Sequence, residues 1–389
     1  MIIRYTDLGA DLQLNEVVIA GSHDAGITSG GHNVQTQDRD IFDQACAGVR
    51  FFDIRIAAFA TGNKSFGAKQ VELKSFHADD LVHKKHDKVR SVVGISGRHD
   101  VKRSKLIAGA EGLGLRKILS DAKDFVESAV YSGEFIILKF DKCQNWPLIA
   151  QTCRDVLGTA LYTGGGNINT KTLADLAGKV ICAFMPDGMR ELKTPMDQQG
   201  ITPIRNLFKP PSGYDASYRG LQYWGSGGTG INNKGFEDKI RENIAKQSKI
   251  LQKAAQGVTK TKGVFRKTTV QLCPPVDPNA LGMMYWTTTG VNKSIRERND
   301  RMWDANHKQG LSDLWTSSYS EYVKIALPKS IDEQSFSSGG TLKLFMPNVV
   351  MIDFANKQRC KEIYDLNTVA ATRLVDVCRK LDIHGGRNG

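Results

Sequence analysis

The chain has 389 residues, 40% of them apolar and 24% charged, which fits a folded chain long enough to bury a core of useful size. Fifty-three Lys and Arg against 41 Asp and Glu give a net charge of +12, so the surface should attract anions: nucleic acid, anionic lipid or a phosphorylated substrate. No apolar run reaches membrane-spanning length, and the N-terminal MIIRYTDLGADLQLNE, broken by Arg4 and Asp7, is too short in apolar sequence for a secretory leader. The expectation is synthesis in the cytoplasm, with any membrane contact peripheral and any export leaderless.

In chain order, residues 17–20 (VVIA) form a first short strand ending at Gly21. A short helix with Ile41, Phe42, Ala45 and Cys46 on one side leads through Gly48 into a second strand, 49–56 (VRFFDIRI). Residues 71–76 are a weaker strand candidate. The stretch 83–105, dense in Lys, Arg and His, is expected to be a surface loop, as is 249–267. Leu115, Ile118, Leu119, Ala122, Phe125, Val126 and Ala129 follow helical spacing and precede the strand 135–140 (FIILKF). Strands are then expected at 180–184, 220–224, 283–287 and 349–354. Phe236, Ile240, Ile244 and Leu251 give an amphipathic helix, and Val369, Leu374, Val377, Cys378 and Leu381 a C-terminal one.

Alternation of strand and helix predicts an α/β fold with a parallel sheet. Eight strand candidates fit a (β/α)8 TIM-type barrel, with a doubly wound sheet as the alternative. The length exceeds a plain barrel, so one domain over 1–389 is expected, with insertions around 83–110 and 190–280. The seven cysteines include no CxxC pair, and several sit in apolar runs. They are expected to be mostly buried free thiols rather than a disulfide framework or metal site.

Four segments carry chemistry. In VVIAGSHDAG, His23 and Asp24 follow a strand directly, where barrel catalysis takes place, although a hydrogen-bonded structural histidine would look the same. In the second strand, Asp53 and Arg55 share one face and Phe52, Ile54 and Ile56 the other. Charges on an inner barrel face must be paired or functional. His77 ends the 71–76 run in SFHADD, and Asp353 ends the last strand in NVVMIDFAN.

Taken in order, these segments resemble the catalytic domain of phosphatidylinositol-specific phospholipase C, of the bacterial metal-independent type. The matching residues are Gly21-Ser22-His23-Asp24, Thr36-Gln37, Gly48-Val49-Arg50-Phe51-Phe52-Asp53-Ile54-Arg55, Phe76-His77 and Ile352-Asp353-Phe354. The helix at 115–129 and Gly133-Glu134-Phe135 also look like the family's. Residues 145–340 carry little recognisable motif. The resemblance implies that His23 deprotonates the inositol 2-hydroxyl and His77 protonates the departing diacylglycerol oxygen. It implies that Asp353 orients His23, Asp24 pairs with the acid, and Arg55 holds the phosphate oxygens. Animal relatives carry a calcium-binding carboxylate where Arg55 stands, and a guanidinium there would repel a cation. No metal and no cofactor are therefore expected.

This chain departs from the family in having His77-Ala78-Asp79-Asp80, not His-Gly, and a long gap from Arg55 to His77. His83 and His86 are the alternative acids. Lys139 and Asp141, ending the 135–140 strand, should face the pocket. Arg190, Tyr223, Trp224, Tyr285 and Trp286 lie at or after later strands and are candidates for substrate contact, although strand aromatics also serve as core. GSGGTG at 225–230 lacks the Lys-Ser/Thr of a phosphate loop. The expected partners are a phospholipid substrate and an anionic membrane surface, with no nucleic acid. Two other functions fit the same residues: a barrel that binds headgroups without turnover, and a metal-dependent glycerophosphodiester or sphingomyelin phosphodiesterase.

Overall fold

Eight short runs of buried residues close into a parallel barrel in the computed structural model. It describes residues 2–65, 68–77, 83–208, 215, 217–227, 242–243, 245–247, 249–250, 258–262, 268–273, 280–288, 294–303 and 347–380. After two short 3-10 turns, Tyr5–Leu8 and Leu14–Glu16, come β1 (Ile19–Ser22), α1 (Ile41–Ala47) and β2 (Val49–Ile54). Five strands follow: β3 (Ile56–Ser65), β4 (Ala68–His77), β5 (His83–Val92), β6 (Ile95–Lys105) and β7 (Ala110–Gly114). Then come α2 (Leu115–Glu127), β8 (Ile136–Phe140), α3 (Trp146–Leu157) and α4 (Leu173–Leu176). After these are β9 (Val180–Phe184), α5 (Pro186–Glu191), α6 (Pro195–Gln198), β10 (Ile201–Asn206) and β11 (Leu221–Gly225). The hairpin β12 (Val258–Lys262) and β13 (Thr268–Cys273) precedes β14 (Leu281–Trp286), α7 (Ile295–Met302), β15 (Pro347–Ile352) and α8 (Lys357–Lys380).

The barrel order is β1, β15, β14, β11, β10, β9, β8, β2. Register brings the working ends level. Ser22 pairs with both Ile352 and Phe52, and Asp53 pairs with Lys139. Residues just beyond these pairs therefore gather at one mouth. Gly21 lets β1 pack here, because a Cβ at that position would sit 2.3 Å from the Met351 sulfur.

One strand expectation is corrected. Residues 71–76 belong to β4, which is not a barrel strand. Its barrel place is taken by β10, ITPIRN, where Pro203 disguises the run. Pro203 is tolerated because pairing with β11 begins one residue later, at Ile204. The stretch 83–105 is likewise not a loop but the antiparallel pair β5 and β6. Val89, Val92, Ile95 and Val101 are buried, while His86, Lys88, Arg90 and Arg98 are exposed. Of 249–267, residues 258–262 form β12, and 251–257 and 263–267 lie outside the described residues. So do Phe236, Ile240, Ile244 and Leu251.

Strands β3 to β7 form a five-stranded sheet of order β3, β6, β5, β4, β7. β3 continues from β2 past Arg55, and β4 returns antiparallel to it, with Ile56 opposite Ser75. The long gap between Arg55 and His77 is thus a hairpin that runs out and back.

Arg50 anchors the other side of β2. It is fully buried, with Nε 2.5 Å from Glu134, Nη1 donating to the carbonyls of Ala45 and Val49 at 2.8 Å, and Nη2 to that of Ile3 at 3.1 Å. Glu134 in turn accepts from the backbone and hydroxyl of Thr6. The guanidinium lies 4.6 Å from the centre of the Phe125 ring. A buried ion pair so fully hydrogen-bonded stitches the N-terminal segment, α1, β2 and the entry to β8 together.

Cys46, Cys143, Cys153, Cys182 and Cys360 are free, and all but Cys46 are buried. No helix among the described residues is long and apolar enough to cross a membrane.

Candidate active site

The turn after β1 places two of the chemistry-bearing residues. Its shape is held by the Thr36-Gln37 pair. Thr36 donates to the Asp24 carbonyl at 2.9 Å, and Gln37 donates to the carbonyls of His23 and Ile352 at 3.1 and 3.2 Å. The Gln37 oxygen accepts from Ala355, so one side chain ties the ends of β1 and β15. Asp24 sits at φ +42°, an uncommon conformation outside glycine. These bonds over-determine it, and it aims the Asp24 carboxylate across the mouth.

Asp24 is the hub. Its Oδ2 accepts from His77 Nδ1 at 2.7 Å and lies 3.7 Å from His23 Nε2. Its Oδ1 lies 2.8 Å from Arg55 Nε. Both imidazoles therefore reach the same carboxylate oxygen, and the guanidinium holds the other. His23 Nδ1 donates to Asp353 Oδ1 at 3.0 Å. The Asp24 and Asp353 side chains are fully buried, whereas those of His23, Arg55 and His77 are 12%, 15% and 21% exposed. Carboxylates thus lie behind, and the two imidazoles and the Arg55 guanidinium in front, an arrangement suited to an anion.

Burial works against charge on His23, but the carboxylates of Asp24 and Asp353 outweigh it and hold the imidazole at about 9. For Asp24, burial raises the carboxyl, yet Arg55, His23 and His77 together hold it well below the ordinary range.

Deeper in the barrel, Lys139 donates to Asp53 at 2.9 Å and to Asp141 at 3.2 Å. Its ammonium lies 5.9 Å from the Tyr223 ring centre. Burial pulls this lysine down, but Asp53 reverses that and keeps it well above its usual value. Tyr223 is pushed up to about 12 by burial. Lys139, Asp141, Asp53 and Tyr223 thus form one group beside the Asp24 hub.

Three expected substrate contacts stand elsewhere. Trp286 is fully buried, with its indole N–H donating to the Met302 carbonyl on α7, so it packs outward as core. Adjacent strand residues face opposite ways, and it is Tyr285 that meets His23, edge-on at 5.8 Å. Arg190 is exposed on α5, and the contacts described for the cluster do not include it. Trp224 is also core, its indole donating to the Ile250 carbonyl. His77 ends β4 of the inserted sheet rather than a barrel strand. Of the alternative acids, His86 is exposed on β5, and the side chain of His83 lies outside the described residues.

Asn299 on α7 was not foreseen. It is fully buried and donates to Asp353 Oδ2 at 3.1 Å, leaving Oδ1 to His23. Its amide is fixed by the Thr288 backbone and the Ile295 carbonyl. Arg359 holds the same turn from behind, donating to the carbonyls of Asp353 and Phe354. His23, Asp24 and Asp53 each offer a ligand atom within 4.8 Å of one another, as a metal site would need. Arg55 and Lys139 already neutralise the two carboxylates, so a divalent ion would have to displace both.

No family model and no curated protein matches the chain. Among solved structures it is similar to phosphatidylinositol-specific phospholipase C from Listeria monocytogenes, at 14% identity over 92% of this chain and 96% of that one, with a TM-score of 0.46. A mutant of phosphatidylinositol-specific phospholipase C from Staphylococcus aureus gives 16% identity over 92% and 95%, with a TM-score of 0.43. A calcium-dependent phosphoinositol-specific phospholipase C from Pseudomonas sp gives 15% identity over 57% and 78%, with a TM-score of 0.32. These are likenesses of fold; the barrel stands on its own strand register and the site on its own distances.

Proposed function

We propose that this chain is a phosphodiesterase of the phosphatidylinositol-specific phospholipase C type. It would cleave a phosphoinositide-like lipid at an anionic membrane surface, without metal, to a cyclic phosphoinositol and diacylglycerol. The supporting observation is the convergence of His23, His77 and Arg55 on the single buried carboxylate of Asp24.

Each histidine donates its Nδ1 proton to a buried carboxylate, so each has its Nε2 left for the reaction. In the proposed step neutral His23 takes the proton of the inositol 2-hydroxyl as that oxygen bonds to phosphorus. The bond from phosphorus to the diacylglycerol oxygen breaks, and protonated His77 gives that oxygen its proton. Arg55, anchored through Nε to Asp24, directs the rest of its guanidinium at the phosphoryl oxygens. Lys139, Asp53, Asp141 and the two tyrosines supply donors and acceptors suited to ring hydroxyls.

The near-coincidence of His23, Asp24 and Asp53 favours a second candidate, a metal-dependent phosphodiesterase on the same barrel. A panel of phosphatidylinositol, its phosphates, glycosylated forms and phosphatidylcholine, run with and without EDTA, separates the two. Turnover of inositol lipids that survives EDTA is expected. Activity lost in EDTA and restored by Mg²⁺ or Ca²⁺ would replace the first proposal with the second.

A further inference from the structure

The +12 charge needs a location, and β5 and β6 provide one. Alternate residues of a strand share a face, which puts His86 and Lys88 together on β5; Arg90, at the register shift between Val89 and Ser91, is exposed as well. Register sets His86 opposite Lys102 and Lys88 opposite Asp100, so Lys102, Asp100 and Arg98 of β6 continue the same face. The opposite face carries Val89 and Val101, both buried. Arg103, also on that side, pairs with Asp87 at 2.8 Å. His86, Lys88, Arg90 and Arg98 are exposed, and none has a hydrogen-bond or ion-pair partner among the described residues. One face of the hairpin is thus satisfied internally, and the other carries a stripe of Lys88, Arg90, Arg98 and Lys102 with Asp100 as the acidic residue among them.

The stripe leads to the mouth. β6 ends at the exposed Lys105, and Leu106 then packs with Ala57, Phe59 and Phe76. Ile107 follows with 73% of its surface exposed. Three residues later Ala110 pairs with His77. A large exposed apolar side chain therefore sits on the segment that returns beside the candidate acid.

We propose that the outer face of β5 and β6, with Ile107 at its end, docks the protein on an anionic lipid bilayer. Cations along the stripe meet the headgroups, and Ile107 enters the acyl boundary next to the mouth. Charge complementarity alone would also suit duplex nucleic acid. The bare isoleucine beside the catalytic opening decides for lipid, because an apolar side chain gains nothing against a phosphate backbone. This deepens the proposed function and rests on it for its purpose, but the surface can be tested without turnover.

The test is co-sedimentation of the full chain with phosphatidylcholine vesicles containing about three parts in ten phosphatidylserine, which hold no inositol lipid. Arg90→Glu/Arg98→Glu should lower partitioning at least roughly 30-fold, and Ile107→Asp roughly 5-fold. The charge-matched Lys123→Glu/Lys361→Glu, on α2 and α8, should change it less than about 2-fold. Arg90→Gln/Arg98→Gln covers misfolding of the reversed pair and should still weaken binding roughly 10-fold or more. Equal loss in both charge-reversed pairs, no loss in the hairpin pair, or no preference of the parent chain for anionic over neutral vesicles would overturn the proposal. So would hairpin variants that keep vesicle binding and lose duplex DNA. Hydrolysis of a water-soluble inositol phosphodiester should be unchanged by the surface substitutions. Absent hydrolysis in the parent chain would sink the proposed function while leaving the docking result standing.

Discussion

The barrel end and the inserted sheet contribute to the site in different ways. The barrel supplies His23, Asp24, Arg55 and Asp353 from the ends of three strands whose register is fixed by parallel pairing. Behind them the backbone is tied by Gln37, Arg359 and the buried pair of Arg50 and Glu134. The sheet β3–β7 supplies one chemical group, His77, at the end of β4. The barrel half is over-determined by buried hydrogen bonds. The sheet half is also tied to the barrel, by Ser75 donating to the Gly26 carbonyl and Asn145 to that of Lys102, but the described hydrogen bond from it to the Asp24 hub is that of His77. A fold can thus hold a charged frame in its core and bring a further imidazole to it on an added layer.

Breaking the hub should have the largest effect. Asp24→Asn keeps the shape but removes the charge shared by His77, Arg55 and His23, and kcat should fall by about 10³–10⁴. Unchanged circular dichroism with near-parental kcat would contradict the role of the hub.

The second prediction concerns stability and contrasts the two regions. Arg50→Ala strands a buried Glu134 and should cost about 3–5 kcal/mol in urea unfolding. Arg103→Ala on the sheet, whose partner Asp87 is partly exposed, should cost about 1 kcal/mol or less. Similar costs at both would erase the distinction.

The third uses pH. An imidazole raised from 6.5 to about 9 on folding binds a proton more tightly in the native state. Its contribution to stability is complete below about 6.5 and is lost as pH rises through about 9. Thermal scans across that window should show a fall that Asp353→Asn reduces, Asp24 still holding part of the shift. If His23 is the base, kcat/KM should also rise with pH to a limb near 9, moved downward in Asp353→Asn. A falling limb near 9 would make His23 the acid instead. The smallest effect is expected from Asn299→Ala, roughly a tenfold loss in kcat with a shifted limb. An unshifted limb would reduce Asn299 to packing.

Legibility in the sequence followed the range of the contacts. His23, Asp24, Asp53, Arg55 and Asp353 could be read because strand ends and strand parity are local. Parity failed at Tyr285 and Trp286, where the run MMYW is apolar on both faces and offers no alternation to set the direction. β10 was hidden by Pro203, and β5 and β6 by a density of charge with few apolar residues, whose period is broken by the register shift between Val89 and Ser91. Asn299 had no signal at all: a lone Asn in IRERNDRM acquires its role only when α7 packs against the end of β15.

The central claim is two-histidine cleavage around one buried carboxylate without metal. It is tested most directly by following phosphorus-31 resonances of phosphatidylinositol vesicles in EDTA with the parent chain, His23→Ala and His77→Ala. A cyclic phosphoinositol signal from the parent, lost by about 10²–10⁴-fold in each variant, is the predicted result. Equal product from either variant, or none from the parent until a divalent cation is added, would contradict it.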